Sequence, residues 1–207
     1  MSEVKIAPIP DLGQRTDEIT IYAGPCSVES AEQFEEVAEC VADLGLHWIR
    51  GGAFKPRTNP HSFQGLCEEA LKIMKAAGDK YNLKTLTEVM DSAHCQLVSD
   101  YVDGLQVGAR NFQNFSLLKK IGEVTADTHQ MVLYKRGFAG TIAEWLAATD
   151  YRTAEGNDNV VLCERGIRTF ETATRFTLDI AAVPVIHKQS LCPVCIDVSH
   201  PAGQRDL

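Results

Sequence analysis

The sequence lacks a long apolar run, and this absence excludes a membrane-spanning helix. No segment approaches the ~20 apolar residues that a span requires, and the first 20 residues carry scattered charges and prolines instead of the apolar core of a secretory signal. Positive charge is also in deficit, because 20 Lys and Arg face 28 Asp and Glu, giving a net charge of −8. Such an acidic chain is not typical of proteins that bind nucleic acid or anionic membranes, and we expect neither partner.

Nucleotide-binding signatures are absent too. No G-x-G-x-x-G follows an apolar run, and there is no Walker A sequence, which argues against a Rossmann sheet and a P-loop fold. The seven cysteines are an odd number, and most of them lie in apolar segments. We therefore expect reduced thiols in the cytoplasm and no disulfide framework.

What the sequence does contain is a regular alternation of two patterns. Short apolar or β-branched runs, expected to be parallel strands buried on both faces, lie at 19–24, 46–52, 84–89, 103–109, 130–135, 159–164 and 192–200. Helical patterns lie between them, at 30–45, 62–78, 91–100, 114–122, 141–156 and 168–184. Seven such steps predict an α/β protein with a (β/α)8 TIM barrel over residues 19–207, after an irregular lead-in at 1–18.

Two helices receive more detailed predictions. The first should begin at the N-cap Ser30, with Gln33 completing a capping box, and should end at Gly45. Its apolar stripe is predicted to consist of Phe34, Val37, Val41 and Leu44. The last helical pattern, at 168–184, is expected to end before Pro184.

An eighth strand and helix are missing from this pattern. The chain stops at Leu207, shortly after the seventh apolar run. We therefore expect a barrel that is incomplete at its C-terminal end, and the 207-residue chain alone is expected to be inactive or nearly so.

Polar and charged side chains follow most of the predicted strands directly. The strand ends carry Cys26; Arg50, Lys55 and Arg57; Glu88; Arg110; Lys135 and Arg136; Glu164 and Arg165; and Asp197 and His200. The carboxyl ends of barrel strands meet at one face, so an acidic protein is predicted to gather cations there. Guanidinium and ammonium groups in this number suit a substrate with phosphate and carboxylate groups.

Cysteine and histidine at two of these ends could share a divalent metal. Cys26 and His200 follow the first and seventh strands, which are near neighbours across the rim of a closed barrel, and carboxylates would complete the coordination. The pair Cys192 and Cys195 has the spacing of a redox or zinc motif. We interpret it instead as core packing, because both cysteines lie in a predicted buried strand.

Six motifs together resemble one enzyme family. GPCSVES (24–30), KPRTNPHSFQG (55–65), GARNFQNF (108–115), LYKRG (133–137), LCERGIRTFE (162–171) and DVSH (197–200) are similar, in order, to the motifs of 3-deoxy-D-arabino-heptulosonate 7-phosphate synthases of the type I-beta branch. The resemblance implies the first step of the shikimate pathway, the metal-dependent condensation of phosphoenolpyruvate with erythrose 4-phosphate, which releases phosphate. It implies the two small-molecule substrates as partners and is compatible with a homo-oligomer.

The resemblance also implies a role for each matched residue. Phosphoenolpyruvate would be bound by Arg50, Lys55, Arg110, Lys135 and Arg165, among which Lys55, Arg110 and Lys135 are the candidate catalytic residues. Arg57 and Thr58 would hold the phosphate of the aldose. Cys26 and His200 would bind manganese, iron, cobalt or zinc, with a Glu and an Asp ligand expected beyond Leu207, and Asp197 would orient the loop or the ligands.

Three alternatives remain open. The sister enzyme, 3-deoxy-8-phosphooctulonate synthase, uses arabinose 5-phosphate, although the sequence from Lys55 to Thr58 favours the erythrose enzyme. A Schiff-base aldolase would use Lys135 as its amine. An inactive, truncated barrel would only bind anions or a partner protein.

Overall fold

The computed structural model describes residues 19–55, 61, 63–153 and 155–204, which divide into two compact units, residues 19–106 and 107–204. The strands are β1 (Tyr22–Ala23), β2 (Trp48–Arg50), β3 (Lys84–Val89), β4 (Gly104–Val107), β5 (Met131–Lys135), β6 (Val160–Glu164) and β7 (Val194–Ile196). The α-helices are α1 (Ala31–Asp43), α2 (Glu68–Tyr81), α3 (Cys95–Tyr101), α4 (Phe115–Thr125), α5 (Ile142–Thr153) and α6 (Ala182–Gln189). Short 3-10 turns at Ser92–His94 and Ala109–Asn111 precede α3 and α4.

In the N-terminal unit, parallel strands pair in sequence order. Trp48 of β2 lies opposite Tyr22 of β1 on one side and Lys84 of β3 on the other. The two helices α1 and α2 cover these strands with side chains that are fully buried, namely Phe34, Ala38, Leu71 and Met74. Apolar strands under amphipathic helices therefore form the core of this unit, as the sequence pattern predicts.

Helix α1 begins as predicted, but its buried face is different. The Ser30 side chain accepts a hydrogen bond from the Gln33 N–H at 3.1 Å, and Gly45 follows the helix with φ +68°. The predicted stripe is wrong at Leu44, which is 69% exposed, while Ala38 is fully buried. Leu44 lies after the end of the helix, where the chain has left the helical spacing on which the stripe was based.

Helix α2 is shorter at its start and longer at its end than predicted. It begins at Glu68 instead of residue 62, and it runs through Gly78 to Tyr81. The C-cap residue Asn82 takes the left-handed conformation at φ +52°. Gly78 is needed inside the helix for close packing, because a Cβ there would lie 2.9 Å from the Leu83 carbonyl oxygen. Gly78, which the sequence pattern predicts to end the helix, thus allows α2 to pack closely against the segment that leads into β3.

In the C-terminal unit, β5, β6 and β7 are also parallel and consecutive. Leu133 lies opposite Val161, and Cys163 lies opposite Cys195. Every residue of β5 and β6 is buried, and Trp145 of α5 and Ile121 of α4 are fully buried. These strands lack alternation because both of their faces are covered.

The helix predicted at 168–184 is wrong. Residues 166–181 form no helix, and Ile167 and Thr177 instead make an isolated antiparallel bridge. The helix that follows, α6, starts at Ala182 and includes Pro184 in its first turn. Proline is tolerated there because the first N–H groups of a helix have no partner within the helix, so the residue opens α6 instead of ending an earlier one.

Parallel strands that alternate with helices in sequence order confirm the predicted (β/α)-barrel class, with seven of its strands in the described residues. None of the seven cysteines forms a disulfide, as expected. Among the described helices, none has the length and apolarity needed to cross a bilayer.

Candidate active site

At the strand ends of the N-terminal unit, Lys55 contacts Cys26. The Lys55 side chain is buried, and its Nζ donates to the Cys26 carbonyl oxygen at 2.6 Å and lies 3.1 Å from the Cys26 Sγ. Gly52 permits this approach, because a Cβ there would lie 2.6 Å from the same carbonyl oxygen and 2.7 Å from Lys55 Cδ. Two of the predicted site residues are therefore brought together by a glycine in the loop after β2.

Arg50, the last residue of β2, donates hydrogen bonds to the loop after β1. Its Nη1 donates to the carbonyl oxygens of Pro25 and Cys26 at 2.7 and 3.3 Å. The backbone after β1 and the backbone of β2 come close at Gly24, where φ is +142° and a Cβ would clash with the Arg50 carbonyl oxygen. Arg50 thus contacts the loop that carries Cys26 through backbone acceptors, and its partners in the described part of the chain include no carboxylate.

The predicted aldose-phosphate residues Arg57 and Thr58 lie outside the described residues, so their assignment stays a prediction. Glu88, at the end of β3, accepts a hydrogen bond from Gln106 Nε2 at 3.2 Å.

In the C-terminal unit, Asp197 joins Lys135 to His200. The Asp197 Oδ2 atom lies 2.8 Å from Lys135 Nζ and 2.7 Å from His200 Nδ1, while Oδ1 accepts from the Ser199 N–H. Burial opposes the charge of this carboxylate, but the hydrogen bond from His200 and the charge of Lys135 outweigh burial and hold its pKa well below the usual range. Asp197 therefore contacts both side chains, and its implied role of orienting the loop or the ligands stays a prediction.

Arg136 follows Lys135 directly, yet it is held in a buried ion cluster. Its Nη1 lies 2.9 Å from Glu164 Oε2 and 2.9 Å from Asp179 Oδ2, and its Nε donates to the Gly140 carbonyl oxygen. Glu164 is completely buried, and Arg136 is its counter-ion. The sequence places Arg136 and Glu164 at strand ends, but their pairing in the structure means that Arg136 is not available to a substrate.

Arg165 contacts two aromatic side chains. Its guanidinium carbon lies 4.3 Å from the ring centroid of Phe176 and 4.9 Å from that of Phe138, and the two rings stack 5.0 Å apart. Burial lowers the pKa of Arg165, while the negative charge of Asp197 acts in the opposite direction. This buried guanidinium has no recorded ion pair among the described residues, which makes it a strong candidate for binding an anion.

Arg110 approaches the same aromatic pair from the 3-10 turn after β4. It is exposed, and its guanidinium carbon lies 5.8 Å from the Phe138 centroid. The two phenylalanines, together with Arg168 and Arg175, are features that the sequence analysis did not single out. Arg168, Arg175 and Phe176 lie in the segment 168–184, which was predicted to be helical. Contacts between rings in the loop after β5 and the loop after β6 leave no periodic pattern in the sequence.

The cysteines near β7 differ from the prediction in their placement. Cys192 is buried but precedes the strand, and Cys195, within the strand, is only half-buried. A hydrogen bond between Cys163 and Cys195, together with burial, raises the pKa of the Cys163 thiol. Core packing, as predicted, therefore accounts for Cys192 and Cys195 better than a zinc or redox motif does.

Metal donors are few in the part of the chain that the structure describes. No group of three or more His, Cys, Asp or Glu side chains with metal-binding geometry occurs there. Cys26 offers a thiol beside Lys55 in one unit, and His200 offers its Nε2 in the other, since its Nδ1 is bound to Asp197. A carboxylate that fixes one nitrogen of a histidine is the usual support for a metal-ligating imidazole.

Fold and site together define a protein of the (β/α)-barrel class with basic side chains at the carboxyl ends of its strands. The sequence profile of the DAHP synthetase I family matches residues 12–207. The chain belongs to this family, which confirms the resemblance drawn from the six motifs.

Individual relatives agree with this assignment. The phospho-2-dehydro-3-deoxyheptonate aldolase of Thermotoga maritima is 50% identical over 188 residues, covering 91% of this chain and 54% of that protein. A crystal structure of the DAHP synthase of that name and organism gives a TM-score of 0.85 at 49% identity, over 91% of this chain and 53% of the other. The 2-dehydro-3-deoxyphosphooctonate aldolase of Caulobacter vibrioides is 29% identical over 205 residues, 91% of this chain and 67% of that protein. The chain therefore spans about half the length of the Thermotoga relative.

Proposed function

We propose that this chain carries the phosphoenolpyruvate site of a DAHP synthase, which condenses phosphoenolpyruvate with erythrose 4-phosphate and releases phosphate in the shikimate pathway. Family membership and the 50% identical Thermotoga relative support the reaction class. The single observation that carries the proposal is Arg165, a buried guanidinium with aromatic neighbours and no recorded ion pair among the described residues. An enclosed cation of this kind is stabilised when an anion binds beside it.

In the C-terminal unit, Arg165, Arg110 and Lys135 would bind the phosphate and carboxylate of phosphoenolpyruvate. The enol carbon is a weak nucleophile, so both anionic groups must be fixed before that carbon can face the aldehyde at reacting distance. Lys135 is buried and ion-paired with Asp197, and its Nζ would donate a hydrogen bond to the substrate or transfer a proton.

In the N-terminal unit, Lys55 and Arg50 would also face phosphoenolpyruvate, and Arg57 and Thr58 would bind the aldose phosphate. Lys55 is held by the Cys26 carbonyl oxygen, so its ammonium is pre-positioned and loses little side-chain entropy when the substrate binds.

A divalent metal ion is part of this proposal, with Cys26 and His200 each supplying one ligand. The exposed thiol beside Lys55 and the imidazole that Asp197 orients fit a borderline metal such as manganese, iron, cobalt or zinc. When bound, such an ion would polarise the carbonyl of the aldehyde.

Two other enzymes remain as alternatives. The octulosonate relative is 29% identical, against 50% for the heptulosonate relative, and the sequence from Lys55 to Thr58 favours the latter. A Schiff-base aldolase would need Lys135 as a free amine, but its Nζ is ion-paired with Asp197.

Equilibrium binding of phosphoenolpyruvate to the 207-residue chain tests the proposed site without requiring turnover. We expect Arg165→Gln and Lys55→Met each to weaken binding by about tenfold or more, because each removes a charge-assisted contact. Lys72→Met is the matched control, since Lys72 is an exposed lysine on α2 that pairs with Glu68. Equal affinities in all four proteins would contradict the assignment.

Phosphate release tests the reaction itself. Phosphoenolpyruvate is supplied with manganese and either erythrose 4-phosphate or arabinose 5-phosphate, with and without a chelator. Chelator-sensitive release that requires erythrose 4-phosphate supports the proposal, whereas a preference for arabinose 5-phosphate would favour the octulosonate enzyme. Borohydride trapping of a covalent adduct on Lys135 would favour the Schiff-base aldolase.

A further inference from the structure

The loop between β2 and α2 is held to β3 by the side chain of Thr87. Strand β2 pairs with β3 as far as Arg50, which lies opposite Leu86, and the Gly51 N–H still donates to the Leu86 carbonyl oxygen at 3.0 Å. The Ala53 N–H then donates to Thr87 Oγ1 at 3.1 Å, and both of these residues are buried. A hydroxyl therefore replaces a backbone carbonyl as the acceptor at the point where the chain leaves the sheet.

Ala53 is also bonded to the start of α2. Its carbonyl oxygen accepts from the N–H of Cys67, the N-cap residue of that helix, at 3.1 Å. Gly65 passes so close that a Cβ there would clash with the same carbonyl oxygen. Hydrogen bonds to β3 on one side and to α2 on the other therefore fix the backbone at Ala53, and Thr87 supplies one of these two attachments.

Lys55 lies two residues after this fixed point. Its N–H donates to the Gln64 carbonyl oxygen at 2.9 Å, so its backbone is held as well. From there the buried side chain passes beside Gly52, and its Nζ reaches the Cys26 carbonyl oxygen at 2.6 Å. Because this acceptor is a neutral carbonyl oxygen, it does not cancel the charge of the ammonium. The place of that charge depends on the backbone from which the side chain starts.

We infer that Thr87 is a positioning residue for Lys55: its hydroxyl holds the backbone at Ala53 and thereby places Lys55 Nζ for binding an anionic substrate. The identity of that substrate, phosphoenolpyruvate, rests on the proposed function, whereas the placement of Lys55 does not. Without the hydroxyl, the buried Ala53 N–H would lose its acceptor, and the loop would shift to find another. Such a shift carries over to Lys55, and charge-assisted contacts at a substrate site are sensitive to displacements of about 1 Å.

Equilibrium binding of phosphoenolpyruvate to the 207-residue chain tests the inference with variants of one strand. Thr87→Val removes the hydroxyl at nearly constant shape and should weaken binding about fivefold or more, whereas Thr87→Ser keeps the hydroxyl and should restore affinity to within about twofold. Thr85→Val is the matched control. Thr85 is equally buried near the start of β3, where its hydroxyl donates to Asp103 Oδ2 at 3.1 Å, so its loss should leave the affinity unchanged. In a Lys55→Met background, Thr87→Val should have no further effect, because the group that it positions is gone.

Acetylation of lysines, followed by mass spectrometry, reports the placement of Lys55 without any substrate. The amine of Lys55 is buried and bonded to the Cys26 carbonyl oxygen, so it should react slowly, and the exposed Lys72 is the internal reference. Thr87→Val should raise the rate at Lys55 relative to Lys72 by about threefold or more, because the loop opens more readily. Thr85→Val and Thr87→Ser should leave this ratio unchanged, although Thr85→Val also removes a buried hydrogen bond.

Three results would overturn the inference. They are an unchanged acetylation rate at Lys55 in Thr87→Val, equal losses of affinity in Thr87→Val and Thr85→Val, and an unchanged affinity of Thr87→Val for phosphoenolpyruvate despite faster acetylation. If the unaltered chain binds no phosphoenolpyruvate but acetylation of Lys55 still depends on the Thr87 hydroxyl, the proposed function fails and the placement of Lys55 by Thr87 stands.

Discussion

Glu164→Ala removes the buried carboxylate that neutralises Arg136. Oε2 of Glu164 accepts from Arg136 Nη1 at 2.9 Å, and Oε1 accepts from the Gly166 N–H at 2.7 Å. The side chains of Glu164 and Arg136 are 0% and 6% exposed, so water cannot take the place of the carboxylate. Removing one partner of a buried ion pair costs about 3–5 kcal/mol of unfolding free energy. Asp179 also lies 2.9 Å from Arg136 Nη1 and retains part of the neutralisation, so we expect a loss of about 3 kcal/mol.

Urea denaturation followed by circular dichroism measures this loss as a shift of the midpoint. The control is Glu68→Ala, which breaks the exposed pair between Glu68 and Lys72, whose side chains are 51% and 53% exposed. That substitution should cost less than about 1 kcal/mol, because exposed pairs gain little over water.

A double variant, Arg136→Met with Glu164→Leu, checks the electrostatic reasoning. It removes both charges of the pair, so it should recover part of the stability lost in Glu164→Ala. If Glu164→Ala costs no more than Glu68→Ala, or if the double variant is less stable than the single one, a buried charge left without its partner is not the cause.

Three further outcomes can be tested by single substitutions. Gly52→Ala should weaken phosphoenolpyruvate binding in a titration, because its Cβ would lie 2.7 Å from Lys55 Cδ and displace that side chain; unchanged affinity would contradict the role of the glycine. Tyr134→Phe should lower the unfolding free energy by about 1–2 kcal/mol in urea, since the buried hydroxyl donates to the Phe112 carbonyl oxygen at 2.5 Å; no loss would show that the bond contributes nothing. Glu144→Gln should lower the melting temperature at pH 7 but not at about pH 3. Hydrogen bonds from the backbone N–H and the hydroxyl of Thr141 lower the pKa of Glu144. The stabilisation that these bonds give is therefore present above the pKa of the unfolded state and is lost as the pH falls. A difference in melting temperature between the two proteins that persists at about pH 3 would refute this explanation.

The strands and the cations at their ends could be predicted from the sequence, because buried parallel strands are continuous apolar runs. The residue that follows such a run lies at the carboxyl end of the strand whatever the loops do. Lys135, for example, is the last residue of β5, and Arg165 directly follows β6. Loop structure was harder to predict, since the stretch before α6 has helix-compatible spacing but forms an isolated bridge between Ile167 and Thr177.

The environment of each cation could not be predicted, because it depends on loops that lie far apart in sequence. Asp179 pairs with Arg136 across 43 residues, and Phe138 stacks on Phe176 across a similar span. Such contacts leave no periodic pattern in either segment.

The partners of neighbouring cations determine which of them can bind a substrate. Lys135 and Arg136 are adjacent on the chain, and each is ion-paired, to Asp197 and to Glu164 respectively. An anion that approaches Lys135 must compete with Asp197, and Arg136 is neutralised twice. Arg165 instead packs beside two stacked aromatic rings, which form no ion pair with it and shield it from water. In an acidic chain, aromatic packing can therefore keep a buried guanidinium without a direct ion pair, and this is why Arg165 carries the proposal of a phosphoenolpyruvate site.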